Sequence, residues 1–210
     1  MPYPYSLRET LADASIHALG LIAAMIAGIV LVVYVVQTQD TTQVAATSIY
    51  AGFLLCSFIA SALYHLLPWE RTRPLLRRID HAAIYFKIAG TYTPLAVLIG
   101  SAFAYVGLAG VWLVALAGAV AKLSFWAADG RGSLPVYLGM GWASLLLIWP
   151  MTQTLPPATV GLIIGGGLLY TLGTLVYRYP QMRYQNAVWH GFVLAASTCF
   201  FAAVSVGVSA

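Results

Sequence analysis

Charge is what this sequence has least of. Asp, Glu, Lys and Arg make up 8% of its 210 residues, about a third of the share in a soluble domain. That deficit excludes a water-soluble fold. With 61% hydrophobic residues and a mean hydropathy of +0.85, no aqueous core hides the apolar surface, and the bilayer has to be the solvent. Cysteine is almost as scarce. Cys56 and Cys199 both fall inside apolar runs, which excludes a disulfide framework or thiolate metal cage and leaves two small buried hydrophobes. A cleavable leader is not expected, because only Arg8 precedes the first apolar run, Glu9 and Asp13 accompany it, and the run is too long. No linker or composition shift marks a second domain, and no internal repeat of the inverted-transporter kind is evident.

What is present is a series of long apolar runs. Segments of about 17–25 residues are expected for spanning helices, and they occur near 14–37, 46–67, 80–99, 103–122, 134–151, 158–177 and 187–208. The expectation is a single all-α domain, a polytopic seven-helix transmembrane bundle. Its connections are short and carry turn residues, as in Gln37–Thr42, Pro68–Pro74, Gly100-Ser101, Asp129–Ser133, Pro156-Pro157 and Tyr179–Asn186. Arg8, then Arg71, Arg73, Arg77 and Arg78, then Lys122 and Arg131, then Arg178 and Arg183 fall in alternate connections. The other connections and the C-terminus carry no Lys or Arg. The positive-inside rule then predicts a cytoplasmic N-terminus and an outside C-terminus. The pI near 9.1 follows from this topology, so nucleic acid is not an expected partner; membrane lipids are. Trp69, Trp126, Trp142, Trp149 and Trp189 lie near predicted span ends and read as an interfacial belt. Gly165-Gly166-Gly167 permits close helix packing, and Pro94 and Pro150 mark kinks or ends.

With that orientation the ionisable groups converge. His65 closes span 2, Asp80 and His81 open span 3, His190 lies just inside span 7, and Glu9, Asp13 and His17 form a four-residue stripe at the start of span 1. All belong near the cytoplasmic face, and ionisable groups at membrane depth mark sites. Ser61 and His65 share a helical face, as do Asn186 and His190, so Ser61 is placed to hydrogen-bond the His65 ring and set its tautomer. Two histidines from different helices with a carboxylate make a metal constellation of the kind zinc accepts; hydrogen-bonded polar glue between helices is the alternative. His81 reads as interfacial. Lys87, deeper in span 3, reads as a snorkelling or structural lysine, with pairing to an acid such as Asp13 as the other option.

The strings SALYH at 61–65, RRIDHAAIYFKIAGTYTP at 77–94, YLGMGW at 137–142, GGGLLYTLGTLVY at 165–177 and NAVWHGFVLAAS at 186–197, with Glu9, His17 and Gly20 spaced as E-x7-H-x2-G, together resemble the bacterial hemolysin III branch of the progestin and adipoQ receptor family. The likeness runs over nearly the whole chain. It implies seven helices, a cytoplasmic N-terminus and an intramembrane zinc near the cytoplasmic leaflet. In the family pattern His65 is a zinc ligand, an HxxxH pair on the last helix supplies two more, and an aspartate matching Asp80 approaches the metal directly or through water. Related alkaline ceramidases point to hydrolysis of lipid amides, and bacterial members are associated with membrane homeostasis and, by name, haemolysis.

This sequence departs from the pattern on span 7. His190 matches the second histidine of HxxxH, but Asn186 stands at the first, and Phe200 stands where a further histidine is often found. An amide oxygen is a poor zinc ligand beside imidazole. The expected metal set is therefore His65, His190 and Asp80, with Asn186 and His17 as further candidates, and Asp80 and Ser61 are the expected catalytic groups. The leading expectation is a zinc-dependent lipid amide hydrolase in the bacterial inner membrane. The alternatives are a non-enzymatic membrane-fluidity sensor or homeostasis protein with a degenerate site, and, further off, a proton relay or haem held by His65 and His190. A Ser–His protease is disfavoured, since Ser61 and His65 share one helix and no Gly-x-Ser-x-Gly surrounds the serine.

Overall fold

The computed structural model describes residues 6–124 and 132–210; Trp126 and Arg131, read above as belt and loop charge, lie outside them. The described residues are helical with no strand. The helices are α1 (Leu7–Thr38), α2 (Thr41–Leu66), α3 (Arg73–Ile99), α4 (Ala102–Ser124), α5 (Leu134–Trp142), a 3₁₀ turn (Ala143–Leu147), α6 (Ile148–Thr154), α7 (Pro157–Tyr177) and α8 (Gln185–Ser209). Counting Leu134–Thr154 as one, seven helical segments are long and apolar enough to cross a membrane.

Local chemistry sets the ends. Ser6 and Glu9 form a reciprocal capping box at the start of α1, and the Asp40 carboxylate accepts the Gln43 N–H at 2.8 Å to start α2. Gly100 ends α3 at φ 66°, a left-handed cap that glycine adopts without strain. Arg78 Nη1 donates to the carbonyls of Lys122, Leu123 and Ser124 at 3.1–3.3 Å, closing the end of α4. So one of the loop arginines read as topological charge is also a helix cap.

Two expectations about boundaries change. α1 and α3 each begin about two turns before the apolar run does, at Leu7 and Arg73. The fifth span is not one α-helix: it tightens to 3₁₀ over 143–147, just before Pro150, whose ring opposes the carbonyl four residues back and whose nitrogen donates nothing. Pro94 is carried inside an unbroken α3.

The helices α1, α2, α3 and α4 pack in chain order, α7 packs most extensively on α8, and α8 returns to α1 and touches α3. α3 is the central span, with 56% of its apolar window buried against 22–33% for the others. α1 explains the close packing beside it. Asp13, His17, Gly20, Ala24, Gly28, Leu31 and Val35 are its buried residues, spaced three and four apart on one face. A Cβ on Gly20 would lie 2.8 Å from the Phe58 ring, so only glycine lets α1 lie this near α2. Gly166 does the same for α7 against α8, where its Cβ would meet Phe200 at 2.7 Å. The opposite face of α1, with Leu19, Ile22, Ile26 and Ile29, is exposed and faces lipid.

Trp69 and Trp149 are exposed as a belt requires, while Trp142 Nε1 donates to Thr171 Oγ1 at 3.0 Å and Trp189 stacks near Tyr177, so these two also bind helices together.

Candidate metal centre

The ionisable groups gather at the end of the bundle where α1 and α8 begin and α2 stops. α2 lowers His65 toward its last turn, α1 brings Asp13 and His17 on its buried stripe, and α8 brings His190 in its second turn. The imidazole ring centroids are 4.3 Å apart for His17 and His190, 4.5 Å for His65 and His190 and 5.5 Å for His17 and His65. Asp13 lies among them. Its Oδ1 is 2.6 Å from His190 Nδ1 and 3.5 Å from His17 Nδ1, and its Oδ2 is 3.7 Å from His65 Nδ1.

The hydrogen bonds orient the rings. His17 Nδ1 faces the Asp13 backbone carbonyl at 2.9 Å, which only accepts, so this nitrogen carries a proton. In the neutral ring His17 Nε2 is then the acceptor, and Ser61 Oγ sits 3.2 Å from it. Ser61 thus meets a histidine of the neighbouring helix as well as sharing a face with His65 on its own. His190 Nδ1 likewise faces the Asp13 carboxylate at 2.6 Å, which fixes the ring orientation.

Among the described residues, Asp13, His65 and His190 offer ligand atoms that all lie within 4.8 Å of one another. The group can hold a cation in two ways. Asp13 can bind it directly, or it can orient His190 from behind in a carboxylate–imidazole–metal arrangement. The electrostatics fit a cation. Asp13 is 3% exposed and no Lys or Arg of the described residues is within ion-pair distance of it. A carboxylate withdrawn from water needs a compensating positive charge, either a metal or a protonated imidazole.

The sequence-derived candidates fall out as follows. His65 and His190 are brought together. His17 joins them in space, with its ring nitrogens engaged by Asp13 and Ser61. Asp80 is buried on the same cavity wall, with Ser61 and His190 near enough to act on it, and stands outside the close trio. Asn186 is half-buried and lines both the large cavity and a small crevice beside Asp13. His81 is 7% exposed, packed on the inner side of α3, and its carbonyl accepts the Tyr137 hydroxyl at 2.7 Å. Lys87 does not pair with Asp13; its Nζ lies 5.2 Å from the ring centroids of both Phe58 and Tyr170. The residue missed as a candidate ligand is Asp13. Its signal was the four-residue step to His17 on the stripe that also carries Gly20 and Ala24.

Glu9 ties the site together from outside. Its Oε1 accepts the backbone N–H of Tyr184 at 3.1 Å, joining the first turn of α1 to the entry of α8. Tyr184 is the one non-glycine residue of the described chain with positive φ, at 58°.

Asp13 lies on the small crevice behind His65 and His190, which line one large cavity, about 1410 Å³, running up the bundle between α2, α3, the fifth span, α7 and α8. Its wall is polar at the cluster end and mostly apolar beyond it.

A family model described as Haemolysin-III related matches residues 5–201. This chain belongs to that family. It is 32% identical over 200 residues to the Hemolysin-3 homolog of Bacillus subtilis (strain 168), covering 94% of this chain and 93% of that one. It is 30% identical over 196 residues to Hemolysin-3 of Bacillus cereus, covering 93% and 90%. The chain is thus a haemolysin-III-like integral membrane protein, and it contacts membrane lipids.

Proposed function

We propose that Asp13, His65 and His190 hold a zinc ion near the cytoplasmic leaflet and that the site hydrolyses a lipid amide. The observation that carries this reading is the buried Asp13 carboxylate faced by His65 and His190, two imidazoles that themselves line a cavity large enough for an acyl chain. Two imidazole nitrogens and one carboxylate oxygen suit zinc with a position left open. When bound, the metal supplies Lewis-acid polarisation of a carbonyl and a water made acidic enough to attack near neutral pH. Ser61 holds His17 in place against the cluster. Asp80, on the same cavity wall near Ser61 and His190, is the acid or base that moves a proton between water and the leaving amine. The positive-inside pattern supports putting the cluster end in the cytoplasmic half of the inner membrane. The test is metal content and hydrolysis of a fluorescent short-chain ceramide by detergent-purified protein, wild type against His65→Ala. Zinc near one equivalent, with hydrolysis lost in the variant and after chelation, supports the reading; no metal and no hydrolysis in wild type overturn it.

A second reading is supported by the 2.6 Å Asp13–His190 hydrogen bond. A carboxylate already satisfied by imidazole acts as polar glue between α1 and α8, in a non-enzymatic membrane-homeostasis protein. Full-length protein that binds no metal yet loses stability in Asp13→Asn supports this reading. The printed names of the two Bacillus relatives point to haemolysis, and lysis of erythrocytes by the purified chain tests that carry-over directly.

A further inference from the structure

Lys87 is a half-buried charge on the cavity wall that the metal centre does not use. It sits on the central helix seven residues beyond Asp80, about 10 Å further along the bundle at 1.5 Å per residue. Its side chain is half-buried and lines the cavity. Its ammonium lies between the faces of Phe58 and Tyr170, 5.2 Å from each centroid, and Tyr170 is itself fixed by a 3.0 Å bond between its hydroxyl and Ser197 Oγ. Asp80 is near enough to feel Lys87, but no carboxylate of the described residues pairs with it. Aromatic faces stabilise an ammonium without neutralising it, and the residue lines the cavity.

The surroundings say what would neutralise it. The cavity's other basic residues, Arg73, Arg77 and Arg178, are at the cluster end; beyond Asp80, Lys87 is the one cation of the described lining. Past Lys87 the wall is mostly apolar, with Leu54, Leu95, Ile148, Met151, Val160 and Ile163, interrupted by the hydroxyls of Thr91, Tyr92 and Tyr50. Along α2 the lining beyond the ammonium reaches from Phe58 to Tyr50, roughly 12 Å of helix. A lone ammonium at the foot of an apolar sleeve matches a molecule with one anionic end and one long chain.

We propose that Lys87 is the counter-charge for the anionic head of a single-chain amphiphile whose acyl chain fills the apolar part of the cavity. The site is distinct from the metal centre and does not depend on whether that centre hydrolyses anything. A neutral amphiphile of the same length leaves the ammonium uncompensated and binds more weakly.

The experiment measures equilibrium binding of radiolabelled palmitate and radiolabelled hexadecanol to the full-length protein in a neutral maltoside detergent, for wild type, Lys87→Met and Lys87→Arg. Wild type should prefer palmitate by about tenfold or more, corresponding to about 1.4 kcal/mol. Lys87→Arg should keep that preference and Lys87→Met should lose it while still binding hexadecanol, which shows the cavity intact. Competition by 1-palmitoyl lysophosphatidate identifies the head group: equal displacement supports recognition of any single anion, and stronger displacement supports a phosphate. Equal binding of palmitate and hexadecanol by wild type overturns the proposal, as does a preference that survives in Lys87→Met. Chelation separates the two sites. A palmitate preference that persists after metal removal is Lys87's; one that disappears belongs to the metal centre and overturns the assignment.

Discussion

His190 Nδ1 lies 2.6 Å from Asp13 Oδ1, a contact between the last helix and the first across 177 residues of chain. Every other feature of the cluster is arranged around that pair. His65 approaches the second carboxylate oxygen, His17 packs edge-on against the His190 ring, and Glu9 one turn earlier holds the entry of α8.

The pair is tested by Asp13→Asn, which keeps shape and removes charge. If Asp13 supports a metal as ligand or orienting group, zinc per protein should fall about tenfold or more. The check is elemental analysis after gel filtration, with Asp80→Asn beside it. A larger loss in Asp80→Asn than in Asp13→Asn would return the carboxylate role to α3.

Orientation is independent of the site. A periplasmic reporter fused at the C-terminus should be active outside the cytoplasm, and a cytoplasmic reporter inserted within 71–78 should be active inside it, because the Lys and Arg residues outside Lys87 follow one alternation. Activity of the C-terminal reporter in the cytoplasm would contradict the topology and, with it, the leaflet assigned to the metal.

Legibility in the sequence divided along physical lines. The seven spans were readable because bilayer thickness imposes a length and a composition on each. The convergence of His17, His65 and His190 was readable because alternating spans put their ends at a common depth. The carboxylate was harder. Depth does not say which way a side chain points around its helix, and Asp13 and Asp80 are both near that end. Asp13 was chosen by the small-residue stripe of α1, Gly20 above all, which lets that helix press its polar face into the cluster. Ser61 shows the same limit: helical spacing offered His65, but packing between helices offered His17. The 3₁₀ turn over 143–147 and the burial of His81 depend on where helices begin and tighten, which apolar runs mark only loosely.

Packing of α7 on α8 is tested by Gly166→Ala. Its new methyl would meet Phe200 at 2.7 Å, and overpacking of this kind costs about 1–3 kcal/mol. Phe200→Leu in the same chain should recover most of the loss, read as the midpoint of thermal unfolding in detergent. Additive losses in the double variant would show that the strain arises elsewhere.

The entry of α8 is tested at Tyr184. Its φ of 58° is tolerated by Asn and strongly disfavoured for a β-branched residue. Tyr184→Val is expected to be less stable than Tyr184→Asn by about 1–2 kcal/mol, and zinc retention should follow the same order, since Glu9 holds this backbone N–H. Equal stability of the two variants would mean that the left-handed turn relaxes without cost.

Asn186 carries the sharpest test of the centre. It stands one turn before His190, half-buried on the cavity wall and beside the crevice that Asp13 lines. Imidazole is a far better zinc donor than an amide oxygen. Asn186→His therefore adds a donor on the side of the cluster that α8 already supplies, and zinc affinity should rise by roughly tenfold or more, about 1.4 kcal/mol. Competitive chelator titration of wild type and variant in one detergent measures this, with His65→Ala as the control. A rise that vanishes when His65→Ala is combined with Asn186→His places the new imidazole in the same centre as His65. No rise, with tight binding already present in wild type, means that Asp13 or His17 fills the position that Asn186 leaves open. No rise with no binding in either protein leaves the Asp13–His190 hydrogen bond as the reason these residues meet.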